Sequence, residues 1–461
     1  MTKRTGDPDM KATSLKFSHI TAYAAPTFCL MFLVGPAQSL IQGVYTQYFG
    51  LKLADLASIV LIARIFDAVT DPAIGLISDR TKSKLPGGRK FWVVLGSVVS
   101  LCAVFFLFIP QAAVTPGYFF IWFVVCYLGW TLVEIPHLSW GSELSRDYKQ
   151  KARVFSNRAF FYYLGYIAFL ALPFLPIFDE PGYTPQTLVV AFWVVAISFP
   201  ITVGFAVWHA PQGQPDEQPA SSNVFHAFKA LTWNPALRNF AAIFIMIGLG
   251  IGMQTGVAFL YITSFLGLFS EAPIIFVLSF PLAIIALPLW LWISRTVGKH
   301  YGLFGGVALT AVTFIGLAML RPGPEIFWTF FILNAAIHFF QSSWISIAPS
   351  MLGDIIDYDK LKTGQDNSAT YYAFYTFIRK VFEGIGGGLG LLIAANYGFE
   401  PSELVINEQV IFGMQLVMGF LPATLFVVAA YFSFRFPITA ARHAEILEQI
   451  KIKEEARSSK S

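Results

Sequence analysis

The chain has 461 residues, of which 56% are hydrophobic, 16% aromatic and only 13% charged, with a formal net charge of +4. Soluble domains are usually about one quarter charged, and soluble monomers avoid the large exposed apolar patches that this composition would create. The composition therefore excludes a soluble globule and indicates a polytopic membrane protein. A positive charge this small and dispersed also argues against a nucleic-acid partner.

Apolar stretches of about 20 residues, the length that crosses the hydrocarbon core of a bilayer, recur along the whole chain. We predict twelve transmembrane helices, at 22–49, 53–78, 91–110, 116–143, 154–177, 187–209, 239–267, 273–295, 302–320, 326–352, 371–397 and 409–435. The longest internal polar segment separates the first six from the last six. We therefore predict an all-α integral membrane protein with these parts: an N-terminal six-helix bundle (1–209), a cytoplasmic linker (210–237), a C-terminal six-helix bundle (238–436) and a cytoplasmic tail (437–461).

The positions of the basic residues orient these helices. If both termini are cytoplasmic, 25 of the 31 Lys and Arg residues lie in cytoplasmic segments, whereas only Lys52 and Arg321 lie in outer loops. This distribution follows the positive-inside rule. Two halves of six helices are typical of the major facilitator architecture, in which substrate binds near the membrane midplane between the halves.

Ionisable residues inside the second predicted helix form the first candidate site. Asp67 and Asp71 are four residues apart and share one helix face, with Arg64 one turn before Asp67. Two carboxylates on one face cannot both ionise in a dry site unless a cation shares them, and a proton or a hard cation with oxygen ligands meets that need. We predict a coupling-cation site at Asp67 and Asp71, which is a metal site if the cation is sodium. The alternative is a structural ion pair with Arg64 or Lys380.

Candidate solute-binding residues lie in three other predicted helices. The fourth contains Glu134, with Trp130 one turn before it on the same face, and an aromatic face beside an acidic acceptor suits a polyol ring. Arg158 in the fifth is either a snorkelling interfacial residue or a solute ligand. Lys380 in the eleventh is a counter-charge to the acidic cluster. We predict that Glu134, Arg158, Trp130 and Lys380 bind the solute.

Taken together, these motifs resemble those of the glycoside–pentoside–hexuronide:cation symporters, the melibiose-carrier branch of the major facilitator superfamily. The resemblance covers most of the chain and is carried by Arg64-Ile-Phe-Asp67-Ala-Val-Thr-Asp71-Pro, Gly75-Leu-Ile-Ser-Asp79-Arg80-Thr-Lys-Ser-Lys84, Glu134-Ile-Pro, Arg158, Lys380, and Asp354-Ile-Ile-Asp357-Tyr358 with Lys362-Thr-Gly364 in the loop after the tenth span. It implies that the second-span acids bind the coupling cation. It also implies that Gly75, Asp79 and Arg80 belong to a loop between spans two and three that stabilises one conformation of the transport cycle.

Two departures from the family pattern concern the solute. Members that carry galactosides have an acidic sugar ligand in the first span, where this sequence has Met31. They also have an aromatic residue after the fourth-span acid, where this sequence has Leu138. The resemblance therefore implies a preserved cation site beside an altered sugar site.

The sequence thus predicts a secondary active cation:solute symporter of the inner (plasma) membrane, for a sugar, a glycoside or a uronide, working by alternating access. The alternatives are a carrier of a lysolipid or another non-sugar solute, and a sensor that binds solute without moving it. Neither a metal-ligand set, a nucleophile elbow nor a phosphate loop is evident in the sequence, so we expect no enzymatic activity and no cofactor beyond co-transported sodium or protons. The expected partners are a small-molecule solute, the coupling cation and the lipid bilayer, without nucleic acid.

Overall fold

The computed structural model describes residues 15–35, 40–81, 84–111, 113–145, 148–213, 224–323, 325–364, 367–401 and 405–458, and within them it contains helices and no strand. The helices are α1 (Phe17–Ala24), α2 (Pro26–Gly35), α3 (Ile41–Phe49), α4 (Leu53–Thr81), α5 (Arg89–Phe108), α6 (Pro116–Glu143), α7 (Tyr148–Leu170), α8 (Pro185–His209), α9 (Val224–Ala230), α10 (Pro235–Leu260), α11 (Ala272–Thr296), α12 (Lys299–Ala318), α13 (Ile326–Thr363), α14 (Ser368–Asn396), α15 (Glu408–Gln415), α16 (Leu421–Phe434) and α17 (Ala440–Ser458). A 3₁₀ turn covers Leu172–Phe174, and π-helical turns cover Tyr261–Phe265 and Leu416–Phe420.

Most of these helices suit a bilayer. Nine segments of the described ranges are long and apolar enough to cross a membrane: Phe17–Gly35, Arg89–Phe108, Pro116–Glu143, Pro185–His209, Pro235–Phe265, Ala272–Thr296, Lys299–Ala318, Ile326–Thr363 and Glu408–Phe434. The predicted second, fifth and eleventh spans correspond to α4, α7 and α14, which have 29, 23 and 29 residues. They are long enough to cross but less apolar, because they carry ionisable residues. The total of twelve crossings and the cytoplasmic side of both termini stay predictions.

Several predicted helix boundaries are wrong. The predicted helix 22–49 is interrupted, because α1 ends at Ala24 and α2 begins at Pro26, whose nitrogen has no hydrogen to donate. Helix α7 ends at Leu170, before the predicted boundary at 177, and Pro173 and Pro176 follow its end. Helix α13 continues to Thr363, past the predicted boundary at 352, and ends at Gly364, which has a φ of 73°. A search for apolar stretches of about 20 residues detects only the part of a helix that lies in lipid. It therefore misses polar turns that continue into water.

Each half of the molecule packs mainly on itself. In the first half α6 packs against α4 and α5, α2 against α7, and α8 against α1 and α5; in the second half α10 packs against α14 and α16, and α13 against α11 and α12. Between the halves, α4 packs along α14, and α7 contacts α11. The division into two bundles and a linker stays a prediction: α9 lies within the linker, and residues 1–14, 214–223 and 459–461 are outside the described ranges.

Small residues bring α14 close to its neighbours. A Cβ atom built on Gly256 of α10 would lie 2.7 Å from the Cα of Gly387. Gly384, one turn earlier on α14, lies against the aliphatic part of the Arg64 side chain on α4. Close approach through glycine is common between membrane helices, and here it places α14 directly beside the acidic face of α4.

Candidate functional site

The two second-span aspartates point from α4 toward a single hydroxyl on α6. Thr131 Oγ1 lies 3.1 Å from Asp67 Oδ1 and 3.0 Å from Asp71 Oδ1. Asp67 is buried, with 4% of its surface exposed. A hydroxyl has one proton and two lone pairs, so Thr131 can donate to one carboxylate at a time while its own oxygen stays available. Three oxygen atoms from two helices therefore converge at one point.

Sequence reasoning brought Asp67 and Asp71 together correctly but missed Thr131. This threonine lies next to Trp130 in an apolar stretch of the fourth predicted helix. It carries no charge, so burying it costs little and leaves no strong signal in the sequence. Its hydroxyl, placed one turn before Glu134, was the only available hint.

Lys380 links the second half of the molecule to this acidic cluster. Its Nζ lies 2.5 Å from Asp71 Oδ2 and 4.7 Å from the centre of the Trp130 ring, a cation–π distance. Asp71 therefore forms the ion pair with Lys380 that the structural alternative predicted. Asp67 forms no ion pair with any residue that the structure describes. Lys380 and Trp130, both predicted to bind solute, contact each other.

Arg64 does not take the position that the alternative assigned to it. Its guanidinium carbon lies 4.8 Å from the centre of the Tyr127 ring on α6, and its Nε is buried without a hydrogen-bond partner among the described residues. Of the two partners in the structural alternative, Lys380 pairs with Asp71, whereas Arg64 forms no ion pair with either aspartate among the described residues. Gly384 leaves the space that lets the Arg64 side chain lie between α4 and α14.

Glu134 and Arg158 form a second polar cluster, one turn along α6 from Trp130. Arg158 Nη2 donates to both carboxylate oxygens of Glu134, at 2.6 Å to Oε1 and 2.5 Å to Oε2. The side chain of Glu134 is only 16% exposed, and that of Arg158 is only 12% exposed. The structure thus brings these two predicted solute ligands together; their role in binding a solute stays a prediction.

His137 of α6, which the sequence analysis did not single out, contacts this pair through Arg158. Arg158 Nε donates to His137 Nδ1 over 3.4 Å, and His137 Nε2 lies 2.7 Å from the backbone oxygen of Tyr23. An arginine N–H only donates and a carbonyl oxygen only accepts. These partners therefore assign His137 as a neutral ring with its hydrogen on Nε2. Its only signal in the sequence was a histidine inside an apolar span.

The predicted conformational-switch residues lie in a helix and not in a loop. Gly75, Asp79 and Arg80 belong to the last turns of α4, which continues to Thr81. The predicted span ends at 78, three residues before the end of α4. Arg80 is exposed, whereas Asp79 Oδ1 lies 2.5 Å from Arg89 Nη2 at the start of α5.

Arg89 forms ion pairs with Asp79 and Glu143, which we call the Arg89 clasp. The sequence analysis missed this cluster. It is 7% exposed and donates from Nη2 to Glu143 Oε1, at 2.9 Å, at the end of α6. The second half has a similar clasp: Lys299 Nζ, at the start of α12, lies 2.6 Å from Asp354 Oδ1. Asp354 lies in α13, as do Asp357 and Tyr358, so the loop expected there is also wrong.

The family model described as MFS/sugar transport protein matches residues 20–440. The chain belongs to this family. It is 24% identical to the putative glycoside/cation symporter YagG of Escherichia coli (strain K12), over 88% of this chain and 88% of that protein. It is 22% identical to the sodium-dependent lysophosphatidylcholine symporter 1-A of Danio rerio, over 89% of this chain and 84% of that protein.

The fold is also found in a solved structure. A bacterial homologue of the human lysosomal transporter Spinster, in an inward-facing and unoccupied conformation, matches with a TM-score of 0.68 at 14% identity, over 94% of this chain and 99% of that one. At this identity the likeness concerns the fold alone. Together with the family, it confirms the predicted major facilitator fold and a multi-pass protein of the inner membrane.

Proposed function

We propose that the protein is a cation:solute symporter in which Asp67, Asp71 and Thr131 bind the coupling cation. The observation that carries the proposal is the single Thr131 hydroxyl that contacts both carboxylates. Carboxylate and hydroxyl oxygens are ligands that hard cations prefer, and a proton on either acid would also relieve the repulsion. We propose no resident cofactor, no enzymatic activity and no nucleic-acid partner for the protein.

Coupling follows from the competition for Asp71. Lys380 Nζ occupies one oxygen of this carboxylate, and Thr131 contacts the other. A cation that binds between Asp67 and Asp71 weakens the attraction of Asp71 for Lys380, because it supplies the positive charge itself. Since Lys380 belongs to α14 and Asp71 to α4, cation binding changes a contact between the two halves.

The solute that this site suits best is uncharged and rich in hydroxyl groups. Glu134 and Arg158 form an ion pair and so neutralise each other's charge, and we therefore propose a neutral sugar or glycoside ahead of a uronide. Glu134 accepts hydrogen bonds, Arg158 donates them, and Trp130 offers an apolar ring.

A lysolipid is the second candidate solute. Met31, where galactoside carriers of the family have an acidic ligand, is buried in α2 with 4% of its surface exposed, so an apolar side chain replaces a carboxylate at this position. The relative from Danio rerio is a lysophosphatidylcholine symporter by name. A zwitterionic headgroup is neutral overall and would also suit the neutral Glu134–Arg158 pair.

The two halves meet at the end that the sequence predicts to be external. Gln47 Nε2 donates to Thr263 Oγ1 at 3.1 Å and to Ser264 Oγ at 2.6 Å, and Gly43 of α3 lies against Phe259 of α10. We propose that these contacts close the site to the outside in this conformation. Alternating access then requires that they separate.

The proposed function is tested by a ligand screen on the purified protein. Neutral p-nitrophenyl glycosides, a p-nitrophenyl glucuronide and lysophosphatidylcholine are each added with and without sodium at two pH values, and thermal unfolding is followed. Because a ligand stabilises the state that binds it, we expect a neutral glycoside to raise the unfolding temperature more in the presence of the coupling cation. A ligand that stabilises should then enter proteoliposomes along a gradient of that cation.

A matched pair of variants completes the test. Asp71→Cys should abolish cation-driven uptake, whereas Asp55→Asn, at an exposed position in the first turn of the same helix, should leave it unchanged. Cation-driven accumulation by Asp71→Cys at the wild-type level would overturn the assignment of the cation site.

A further inference from the structure

One buried histidine connects the break in the first span to the Glu134–Arg158 pair. His137 and Tyr23 both have no exposed surface. Their rings stack with centroids 4.3 Å apart and planes 11° from parallel, and Tyr23 Oη donates to the backbone oxygen of His137 at 2.9 Å. The histidine ring is therefore held on its face by an aromatic ring and at its edge by a hydrogen bond from Nε2.

The break in the first span provides the acceptor for that edge. Helix α1 ends at Ala24, and α2 begins at Pro26, which cannot donate a backbone hydrogen bond. At this break the Tyr23 carbonyl accepts from His137 Nε2. Gly141 of α6 makes the arrangement possible, because a Cβ atom there would collide with the Tyr23 side chain.

With Nε2 bound to a carbonyl, the other ring nitrogen of His137 must accept. It accepts from Nε of Arg158 at 3.4 Å, while Nη2 of the same guanidinium is bound to Glu134. A guanidinium is planar and rigid, so two anchored nitrogens fix the direction of the third. Among the described residues nothing accepts a hydrogen bond from Arg158 Nη1, whose two N–H groups are therefore left to donate elsewhere.

We propose that His137 is a positioning residue for solute binding: it holds the Arg158 guanidinium in one orientation, so that Nη1 presents its two N–H groups to an oxygen atom of the solute. This inference rests on the proposed function, since it assigns Arg158 to the solute site. The two ring nitrogens have different partners. Nε2 donates to the Tyr23 carbonyl at the break in the first span, and Nδ1 therefore accepts from Arg158. A phenylalanine or a tyrosine would have a carbon atom in place of Nδ1.

Three substitutions separate the two sides of the ring. His137→Phe keeps the stacking on Tyr23 and loses both polar atoms. His137→Asn places an oxygen near the position of Nδ1 and keeps an acceptor for Arg158. His137→Gln reaches the Tyr23 carbonyl with its amide nitrogen and lacks the acceptor for Arg158, so it is the matched control for a merely structural role.

The first measurement is the rate at which phenylglyoxal modifies Arg158, followed by mass spectrometry on the purified full-length protein. We expect His137→Phe and His137→Gln to react about fivefold faster than wild type, the factor that the loss of one ordinary hydrogen bond gives, and His137→Asn to stay close to wild type. Equal rates in all four proteins, or protection by Gln as good as that by Asn, would overturn the proposal.

A second measurement examines the histidine ring itself in the wild-type protein. In wild-type protein labelled with ¹⁵N-histidine, the His137 ring should be neutral, with its hydrogen on Nε2; hydrogen on Nδ1 overturns the proposal. The cation-dependent stabilisation of His137→Phe should equal that of wild type, because Asp67, Asp71 and Thr131 are untouched. If wild type itself shows no cation-dependent stabilisation, the proposed function fails while the result on Arg158 stands.

Discussion

Lys380 and Asp71 join the two halves of the protein by a single ion pair, with 2.5 Å between Nζ and Oδ2. The pair lies beside a second carboxylate, Asp67, that has no basic partner of its own within the described residues. One lysine thus faces two acids, and the site has room for one more positive charge. The pair is therefore a contact between the halves, and under the proposed function it would respond to the binding of the cation.

Replacing Lys380 with methionine should reveal that double role. Without the coupling cation, Asp71 loses its ion pair with Lys380, and we expect the free energy of unfolding to fall by about 2 kcal/mol. Saturating cation should restore most of the loss, because the cation supplies the missing charge. Unfolding in mixed micelles with and without sodium, or at two pH values, measures both effects.

The control for Lys380→Met is Arg379→Gln. Arg379 pairs with Glu383 on its own helix at 3.3 Å; the side chain of Arg379 is 48% exposed and that of Glu383 is 35% exposed. We expect this substitution to cost less than about 1 kcal/mol, as exposed pairs usually do, and the cost should not depend on the cation. A cation-independent loss in Lys380→Met would contradict the proposed competition.

Replacing Thr131 with valine should weaken cation binding while preserving the shape of the side chain. We expect the concentration of coupling cation needed for half-maximal uptake to rise about tenfold, since one hydrogen-bonding oxygen is lost. Thr131→Ser keeps the hydroxyl and should behave like wild type. If the valine variant retains the wild-type cation dependence in proteoliposome uptake, Thr131 is not a ligand.

The Arg89 clasp should matter more than the exposed arginine predicted from the family motif. Arg89→Met removes the buried guanidinium group that lies between Asp79 and Glu143, and we expect the free energy of unfolding to fall by about 3 kcal/mol. Arg80→Met, at an exposed position, should change stability by no more than about 0.5 kcal/mol. Denaturation curves of the two variants, compared with wild type, check the difference; equal effects would argue against the clasp.

The contacts at the predicted external end should govern access to the site. A double variant, Gln47→Cys with Ser264→Cys, places thiols on two side chains that are hydrogen-bonded in this conformation at 2.6 Å. A short, reducible bifunctional thiol reagent should stop uptake in the double variant, and a reductant should restore it. Each single variant treated in the same way is the control, and continued transport by the cross-linked double variant would refute the proposed closure.

The sequence predicts the membrane fold and the main charged residues of the site for one physical reason. Charge is expensive inside a bilayer, so Asp67, Asp71, Glu134, Arg158 and Lys380 are conspicuous in a chain that is only 13% charged. Their pairing is not readable in the same way. Asp71 and Lys380 are separated by 309 positions, and only the packing of α4 against α14 brings them together.

Residues that cost little to bury escape sequence reasoning. Thr131 and His137 are neutral side chains whose importance depends on what surrounds them, and the chain alone does not reveal those neighbours. Arg89 escapes for another reason: it lies among basic residues that we predict to be on the cytoplasmic side, and its burial against Glu143 depends on the start of α5 lying beside the end of α6.

The two clasps, Arg89 with Glu143 and Lys299 with Asp354, each lie within one half of the molecule. A rocking motion between the halves can leave both intact, because neither crosses the dividing plane. Each bundle can thus turn as a rigid body whose internal joints stay closed. The contacts that cross between the halves, among them the packing of α4 along α14 and the Lys380–Asp71 ion pair, must then change during the transport cycle, and the proposed cation would act directly on one of them.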